Sequence, residues 1–318
     1  MSSQWLRRAS LVVSDASGNG LDLSGLNFEF QIKAADKESP QAGFFRIFNM
    51  KPETMAQIGP SPSSQYSNVT LQCGYYGLNN DGPFGVIFQG TIKQTRRGRQ
   101  NATDSFLDLV AADGDIFATL AVLNYSLGAG STSQSRLNAA LAASGLTVGY
   151  IPDDVAGPTL PRGKAVHCMA RRELHIWAAT HGLTYSIQSG KIVFLPLLGF
   201  RDGEAVVVNA QTGMIGWPEQ TEEGIKVRML INPQLEVGCK LQINNADIQQ
   251  AQQTNLSPQG EVDYATLQWN VPLNDDGIYR IHVIEHVGNT RANDWYSDVI
   301  CLSSTQDSNT ALTQSGKG

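Results

Sequence analysis

The sequence predicts a mainly β protein with an α/β insertion, on three observations. Segments of alternating polar and apolar residues recur before residue 115, the same alternation returns after residue 224, and the two longer helical runs lie in the stretch between. The chain has 318 residues, long enough for two or three compact units, because single cores stop growing well before that length. Apolar residues make up 41% and charged residues 16%, with 31 glycines and 13 prolines, the profile of a globular chain rich in turns.

Taken in order, residues 26–34 place Leu26, Phe28, Phe30, Ile32 and Ala34 on one side and Asn27, Glu29, Gln31 and Lys33 on the other, the pattern of a half-buried strand. Further strands are expected at 43–49, 68–75, 85–94 and 104–112, punctuated by Gly, Pro, Asn and Asp. Between the second and third of these five, a helical turn or two is opened by Pro52 and closed by Gly59. Residues 1–115 therefore read as one antiparallel barrel or sandwich.

Near residue 130 the period changes. Leu137, Ala140, Leu141 and Ser144 recur at helical spacing behind the Ser-rich stretch Ser126–Ser133, and Gly145 ends the run. A second helix is expected where Leu174, Trp177, Ala178 and His181 share a face and Gly182 stops the turn, followed by a strand pair around Ser189-Gly190. Residues 116–205 thus form a mixed α/β unit. From Ile225 the strand period returns at Ile225, Val227, Met229 and Ile231, then Val237, Cys239, Leu241 and Ile243, then Ala265, Leu267, Trp269 and Val271. Asn274-Asp275-Asp276-Gly277 is a turn that feeds a strand from Ile278, and residues 294–302 close the series at about residue 303. Residues 304–318 are too polar to bury and are expected to form a flexible tail.

Bulk properties exclude several function classes. The balance of 23 basic against 29 acidic residues gives −6, so no long-range field gathers nucleic acid. The one dense basic run, Arg96-Arg97-Gly98-Arg99, reads as a solvated hairpin tip. Cys73, Cys168, Cys239 and Cys301 are scattered without CxxC spacing and are expected to be reduced. Neither a signal-peptide core nor a membrane-spanning stretch of roughly 18 apolar residues is present, so folding in the cytoplasm is expected.

Candidate chemistry weakens on inspection. His282 and His286 would share a helix face as metal ligands, but their segment has strand period and Glu285 then points away. His167, Cys168 and His175 could supply a thiol and a base, yet activation requires contact and an orienting third group. Gly128-Ala129-Gly130 resembles half of a dinucleotide fingerprint, but Ser133 stands where the third glycine belongs. The pairs Asp113/Asp115, Asp153/Asp154, Glu222/Glu223 and Asp275/Asp276 all coincide with turns, where carboxylates accept local backbone hydrogen bonds. Trp217, Trp269, Trp295 and Tyr296 could build a sugar-stacking platform, but their strand positions favour core or interface packing. No catalytic, cofactor or metal residue is assigned, and no enzymatic activity is expected.

The order of segments resembles the central baseplate hub family of contractile-tailed phages, related to the hub part of type VI secretion spike proteins. The residues that carry the resemblance are 44–58 (FFRIFNMKPETMAQI), 69–77, 86–94, 107–115 (LDLVAADGD), 212–243 and 276–302. Each motif is a strand with turn residues, so the weight rests on their order and spacing. The resemblance implies two tube-like antiparallel β-barrel domains per chain, 1–115 and 206–303, flanking the inserted 116–205 unit. It further implies a homotrimeric ring of pseudo-sixfold symmetry in the virion tail baseplate. That ring joins the hexameric tail tube protein to a trimeric spike protein beside other baseplate subunits, and genome DNA passes its lumen without specific binding. Such a ring needs covered strand edges and interfaces on the order of 2,000 Å². The modest acidic excess would suit a wall past which DNA slides, since carboxylates repel phosphate. No β-helical needle follows residue 303 and no lysozyme-like insertion with a helical Glu/Asp pair is seen, so spike and peptidoglycan cleavage are expected of partners. A carbohydrate-binding adhesin and a peptidoglycan hydrolase of the tail are the competing readings.

Overall fold

The computed structural model describes residues 4–61, 64–77, 81–145, 147–153, 155, 157–197, 199–221, 224–250 and 277–303. The first stretch builds β1 (Arg7–Ser14), β2 (Gly20–Asp22), β3 (Phe28–Ala35), β4 (Gln41–Phe48), α1 (Pro52–Gln57), β5 (Asn68–Tyr75), β6 (Phe84–Arg99) and β7 (Ser105–Asp113). The middle stretch builds α2 (Asp115–Leu120), β8 (Val122–Leu127), α3 (Ser133–Ser144), β9 (Thr147–Tyr150), β10 (Lys164–Met169), α4 (Ala170–Thr180), β11 (Leu183–Gln188) and β12 (Lys191–Pro196). The last builds β13 (Val206–Val208), β14 (Glu219–Thr221), β15 (Gly224–Leu230), β16 (Lys240–Ile243), β17 (Gln249–Gln250), β18 (Ile278–Asn289) and β19 (Trp295–Leu302). The mainly β chain with an α/β insertion is therefore the observed architecture.

The strands outside the insertion form one sheet of 14, ordered β17-β14-β15-β19-β18-β3-β4-β7-β6-β5-β1-β2, with β16 branching from β18 to β13. Sequence periodicity placed two separate β units here. Instead β3 and β18 pair antiparallel from Glu29↔Asn289 to Ala35↔Val283, so the two units share a sheet, and among the described residues neither closes on itself as a barrel. Within this sheet, β3-β4-β7-β6 and β14-β15-β19-β18 are four-strand units of the same connectivity. In each, the first and second strands in sequence pair, and the second pairs the fourth, which pairs the third.

Alternation does what it predicts on β3: Phe28, Phe30 and Ile32 are buried, while Gln31 and Lys33 are exposed. The buried face packs into two cores. Leu11, Phe28, Ile32, Phe45, Leu71, Phe88 and Leu109 lead the first, and Val227, Leu241, Tyr279, Ile281 and Val299 the second. The cores trade residues across the joint, since Ile231 and Trp295 enter the first and Ala34 the second. A third core inside the insertion centres on Leu137, Leu174, Trp177, Tyr185 and Phe194.

Several boundaries differ from the sequence reading. Arg96-Arg97-Gly98-Arg99 belongs to β6 rather than to a hairpin tip; the turn is 100–104, where Asn101 Oδ1 accepts from the Thr103 and Asp104 amides. The strand expected over 237–243 begins only at Lys240, because Gly238 takes φ +90 and Cys239 donates back to Glu236 in a turn. Strands β1, β2, β8, β9, β10, β13, β14 and β17 are not marked by the sequence pattern. The segment of Ala265, Leu267, Trp269 and Val271, and the tail from 304, lie outside the described residues. The hairpin at Ser189-Gly190 is as expected, with φ +52 and +76 in successive residues, the geometry of a tight two-residue turn between Gln188 and Lys191.

Candidate functional site

The sequence-derived candidates do not converge. His282 sits at the register break between Ile281 and Val283, and His286 is buried with Nδ1 2.7 Å from Ser297 Oγ, where burial pushes its pKa down to about 4. Among the described residues no group of His, Cys, Asp and Glu could hold a metal ion. His167 is exposed on β10, Cys168 packs against the insertion core, and His175 pairs with Glu38 from the β3–β4 connection. Asp113 is buried and accepts from the Gly190 amide at 3.1 and 3.2 Å, and burial raises it to about 6, whereas Asp115 pairs with Lys93. Asp153 is exposed, while Asp154, Glu222, Glu223, Asp275 and Asp276 lie outside the described residues. Trp295 is buried edge-on to Phe30, Tyr296 lies beneath Arg228, Trp217 is exposed, and Trp269 is outside the described residues, so no sugar platform assembles from them.

One contact escaped sequence reasoning. Ser133, in the first turn of α3, bonds His181 Nε2 at the end of α4. Trp177 lies 4.5 Å from the imidazole and donates to the Ser133 carbonyl at 3.1 Å. Gly157 seals the pair, since a Cβ there would lie 2.7 Å from Ser133 Cβ and 2.6 Å from His181 Cε1. The buried carboxylate of the insertion, Glu173, is committed to Arg136 at 2.6 Å and Lys164 at 2.9 Å. The cluster fixes α3 to α4.

The organised surface of the molecule is instead the open face of the shared sheet, opposite the two cores. Strand register aligns Glu29, Arg46, Asp108 and Arg96 directly across β3, β4, β7 and β6. Arg46 forks onto Asp108 through Nε at 2.6 Å and Nη2 at 3.1 Å, Arg96 Nη2 closes from the far side at 2.9 Å, and Glu29 stands 3.7 Å from Arg46. Asp108 is 4% exposed because the two guanidinium groups cover it. The Arg46 guanidinium also lies 4.6 Å over the Phe106 ring.

The second four-strand unit repeats the Arg–Asp–aromatic part of this cluster, with Glu285 in the place of Arg96. Arg228 and Asp298 are register partners on β15 and β19, joined by Nε at 2.7 Å and Nη2 at 2.8 Å, and the guanidinium lies 4.2 Å over Tyr296. In both units the fork runs from second strand to fourth, and the aromatic precedes the aspartate by two residues. Two like strand orders carrying two like clusters mark a tandem structural repeat. Arg46, Arg96 and Arg228 on this face pair with aspartates, while Glu285 stands in register beside Asp298, so the face carries both signs of charge.

The insertion is anchored behind this sheet. Arg280 Nη1 donates to the carbonyls of Pro196, Leu197 and Gly199 at 2.6, 3.2 and 3.3 Å, its Nη2 pairs with Asp36, and Thr184 donates to Asp36 at 3.1 Å. A cleft of about 310 Å³ between insertion and sheet includes Gln41, Lys191, Arg201 and Glu236, but its Arg201 and Glu236 pair with each other.

No protein-family model matches the sequence, and no curated protein does. Solved structures do. The 43 kDa tail protein of prophage MuSo2 from Shewanella oneidensis superposes with TM-score 0.56 at 9% identity, over 93% of this chain and 97% of that one. A tail protein from Neisseria meningitidis MC58 gives 0.53 at 10% identity, over 94% and 97%. The Francisella PdpA-VgrG complex, in its half-lidded form, gives 0.51 at 7% identity, over 96% of this chain and 60% of the matched one. The chain shares the fold of these structures over 93% to 96% of its length.

Proposed function

We propose that the protein is a structural baseplate hub subunit of a phage tail or tail-derived particle, without enzymatic activity. Three copies form a ring that joins a hexameric tail tube to a trimeric spike. Residues 1–115 and 206–303 act as its two tube-like domains, and 116–205 is the inserted domain. The observation that carries this reading is the tandem repeat: two four-strand units of like order and like Arg–Asp–aromatic clusters, fused at β3–β18. Two equivalent units per chain let a threefold ring present six similar elements to a sixfold tube. Likeness of fold to the tail proteins supports the same reading.

The two cores lie on one side of the shared sheet, and the insertion is bonded to Arg280 of β18 and to Asp36 just after β3. A ring with this bulk outside has the open face lining its channel. The channel wall is then charge-paired, a refinement of the acidic wall expected from the −6 balance. Cross-strand salt bridges spare the wall both adhesion to and strong repulsion of phosphate. Virion location and assembly in the host cytoplasm follow from the same reading, and among the described residues no helix is long and apolar enough to cross a membrane. Mass measurement of the purified protein, alone and mixed with tail-tube protein, is expected to show a trimer and a tube-bound complex. A monomer in every mixture sinks the hub.

A further inference from the structure

Where the joint of the two sheet units meets the insertion, the fold leaves polar groups without partners around one cleft. The cleft holds about 310 Å³, within the range of small-molecule pockets. It runs across three neighbouring strands. Gln41 stands on β4; Ala34 stands on β3, one step beyond the Lys33↔Ala42 pair; Ile284 and His286 stand on β18, where Ile284 is the register partner of Ala34. Gln41 is 7% exposed, and its amide makes no hydrogen bond among the described residues. His286 is 4% exposed, and with Nδ1 committed to Ser297 its Nε2 is left without a partner among them. Buried polar side chains are satisfied in the large majority of cases, so two open ones along one cavity mark places for polar atoms that the chain does not supply. The apolar lining consists of Ala34, Leu235, Val237 and Ile284, all buried members of the second core.

Charge distinguishes the two polar ends. Asp113, the register partner of Gln41, accepts from the Gly190 amide, which brings the β11–β12 turn and Lys191 to the Gln41 end. Lys191 is exposed and forms no ion pair among the described residues, whereas Arg201 and Glu236 neutralise each other and Asp113 stays outside the lining. His286, held neutral by burial, brings hydrogen bonding without charge. We propose that the cleft binds a small ω-hydroxy carboxylate, with its carboxylate between Lys191 and the Gln41 amide, its apolar chain over Ala34 and Ile284, and its hydroxyl on His286 Nε2. Two strand spacings separate the polar ends, roughly 10 Å, the span of a chain of medium length. The site needs only one folded chain and goes beyond the hub reading, so a monomer by mass would leave it standing.

The test is isothermal titration calorimetry of the full chain with ω-hydroxyoctanoate, octanoate and octanediol. The hydroxy acid is expected to bind saturably, one per chain, with octanoate and octanediol each about tenfold weaker for want of one polar end. Lys191→Met, a change at an exposed side chain, should weaken the hydroxy acid by about tenfold and leave octanediol unchanged, and Gln41→Leu should also weaken the acid. Val86→Trp, at an exposed position of the lining, should block all three ligands. Far-ultraviolet ellipticity of each variant checks that it folds. The site is overturned by no saturable heat with any of the three ligands, by equal affinity for all three, or by binding indifferent to both Lys191→Met and Val86→Trp; the cleft then holds solvent only.

Discussion

Two buried titratable groups, His286 and Asp113, contribute to the pH response of the fold in opposite directions. His286 is held neutral, its pKa lowered by burial to about 4, against 6.5 in the open chain. The unfolded state therefore takes up a proton below 6.5 that the folded state refuses, so stability is lost as pH falls from 6.5 towards 4, by about 3 kcal/mol at the low end. Asp113 is shifted the other way, from 3.8 to about 6, because burial outweighs its hydrogen bonds from Gly190 and Ser189. Here the unfolded chain releases its proton first, so stability falls as pH rises from about 4 to about 6 and is level above. Denaturant titrations at a series of pH values should show His286→Gln flattening the acid limb. Asp113→Asn should remove the decline between 4 and 6, and unchanged slopes in both would refute the burial assigned to these groups. Neither shift was legible beforehand. The strand period of 278–287 placed His286 on one face, but it could not show that β3 and β19 would enclose it on both edges.

Among the elements, two glycines with similar backbone angles make a discriminating pair. Gly114 has φ +72 at the entry to α2, and a Cβ there would lie 2.4 Å from Ile187 Cδ1, where the first core meets the insertion. Gly190 has φ +76 in the β11–β12 turn, with nothing within 4 Å of an added Cβ. Left-handed strain alone costs about 1–2 kcal/mol, and overpacking adds about 1–3. Gly190→Ala should therefore lower the urea unfolding free energy by about 1 kcal/mol and Gly114→Ala by two or three times as much; equal losses would mean that Ile187 is not held against β7. The β11–β12 turn was legible because Ser-Gly between two alternating runs has few alternatives. Strand β14 was not, since three residues carry no period, nor was β1, whose RRASLVVS mixes charge with apolar residues. The repeated cluster did leave a trace that periodicity passes over: Asp104-Ser105-Phe106-Leu107-Asp108 and Asp294-Trp295-Tyr296-Ser297-Asp298 share an aspartate, a central aromatic and a second aspartate. What converts that trace into a site is the pairing of Arg46 and Arg228, which lie 62 and 70 residues away in sequence from their aspartates.

At the scale of the whole molecule, the pairing of residues near 30 with residues near 285 decides whether the chain behaves as separate domains or as one body. The first core is completed by Ile231 and Trp295 and the second by Ala34, Val193 and Leu195, so each borrows from sequence outside its own unit. The insertion is tied to both by the buried Arg280–Asp36 pair, by Arg280 on three carbonyls, and by Ile187 against Gly114. Removing either core contributor leaves a cavity, and removing one member of a buried ion pair strands a charge, at about 3–5 kcal/mol. With such terms shared between units, no unit can unfold while its neighbours remain whole. Equilibrium unfolding should therefore be a single transition in which tryptophan fluorescence, reporting Trp177 in the insertion and Trp295 at the joint, coincides with far-ultraviolet ellipticity. Asp36→Ala, which uncouples all three units at one point, should split that transition or lower its midpoint for every probe. Two well-separated transitions in the unaltered protein would show that the β3–β18 joint is a contact between independent domains, and the argument that one chain supplies two rigidly related units to a ring would lose its mechanical basis.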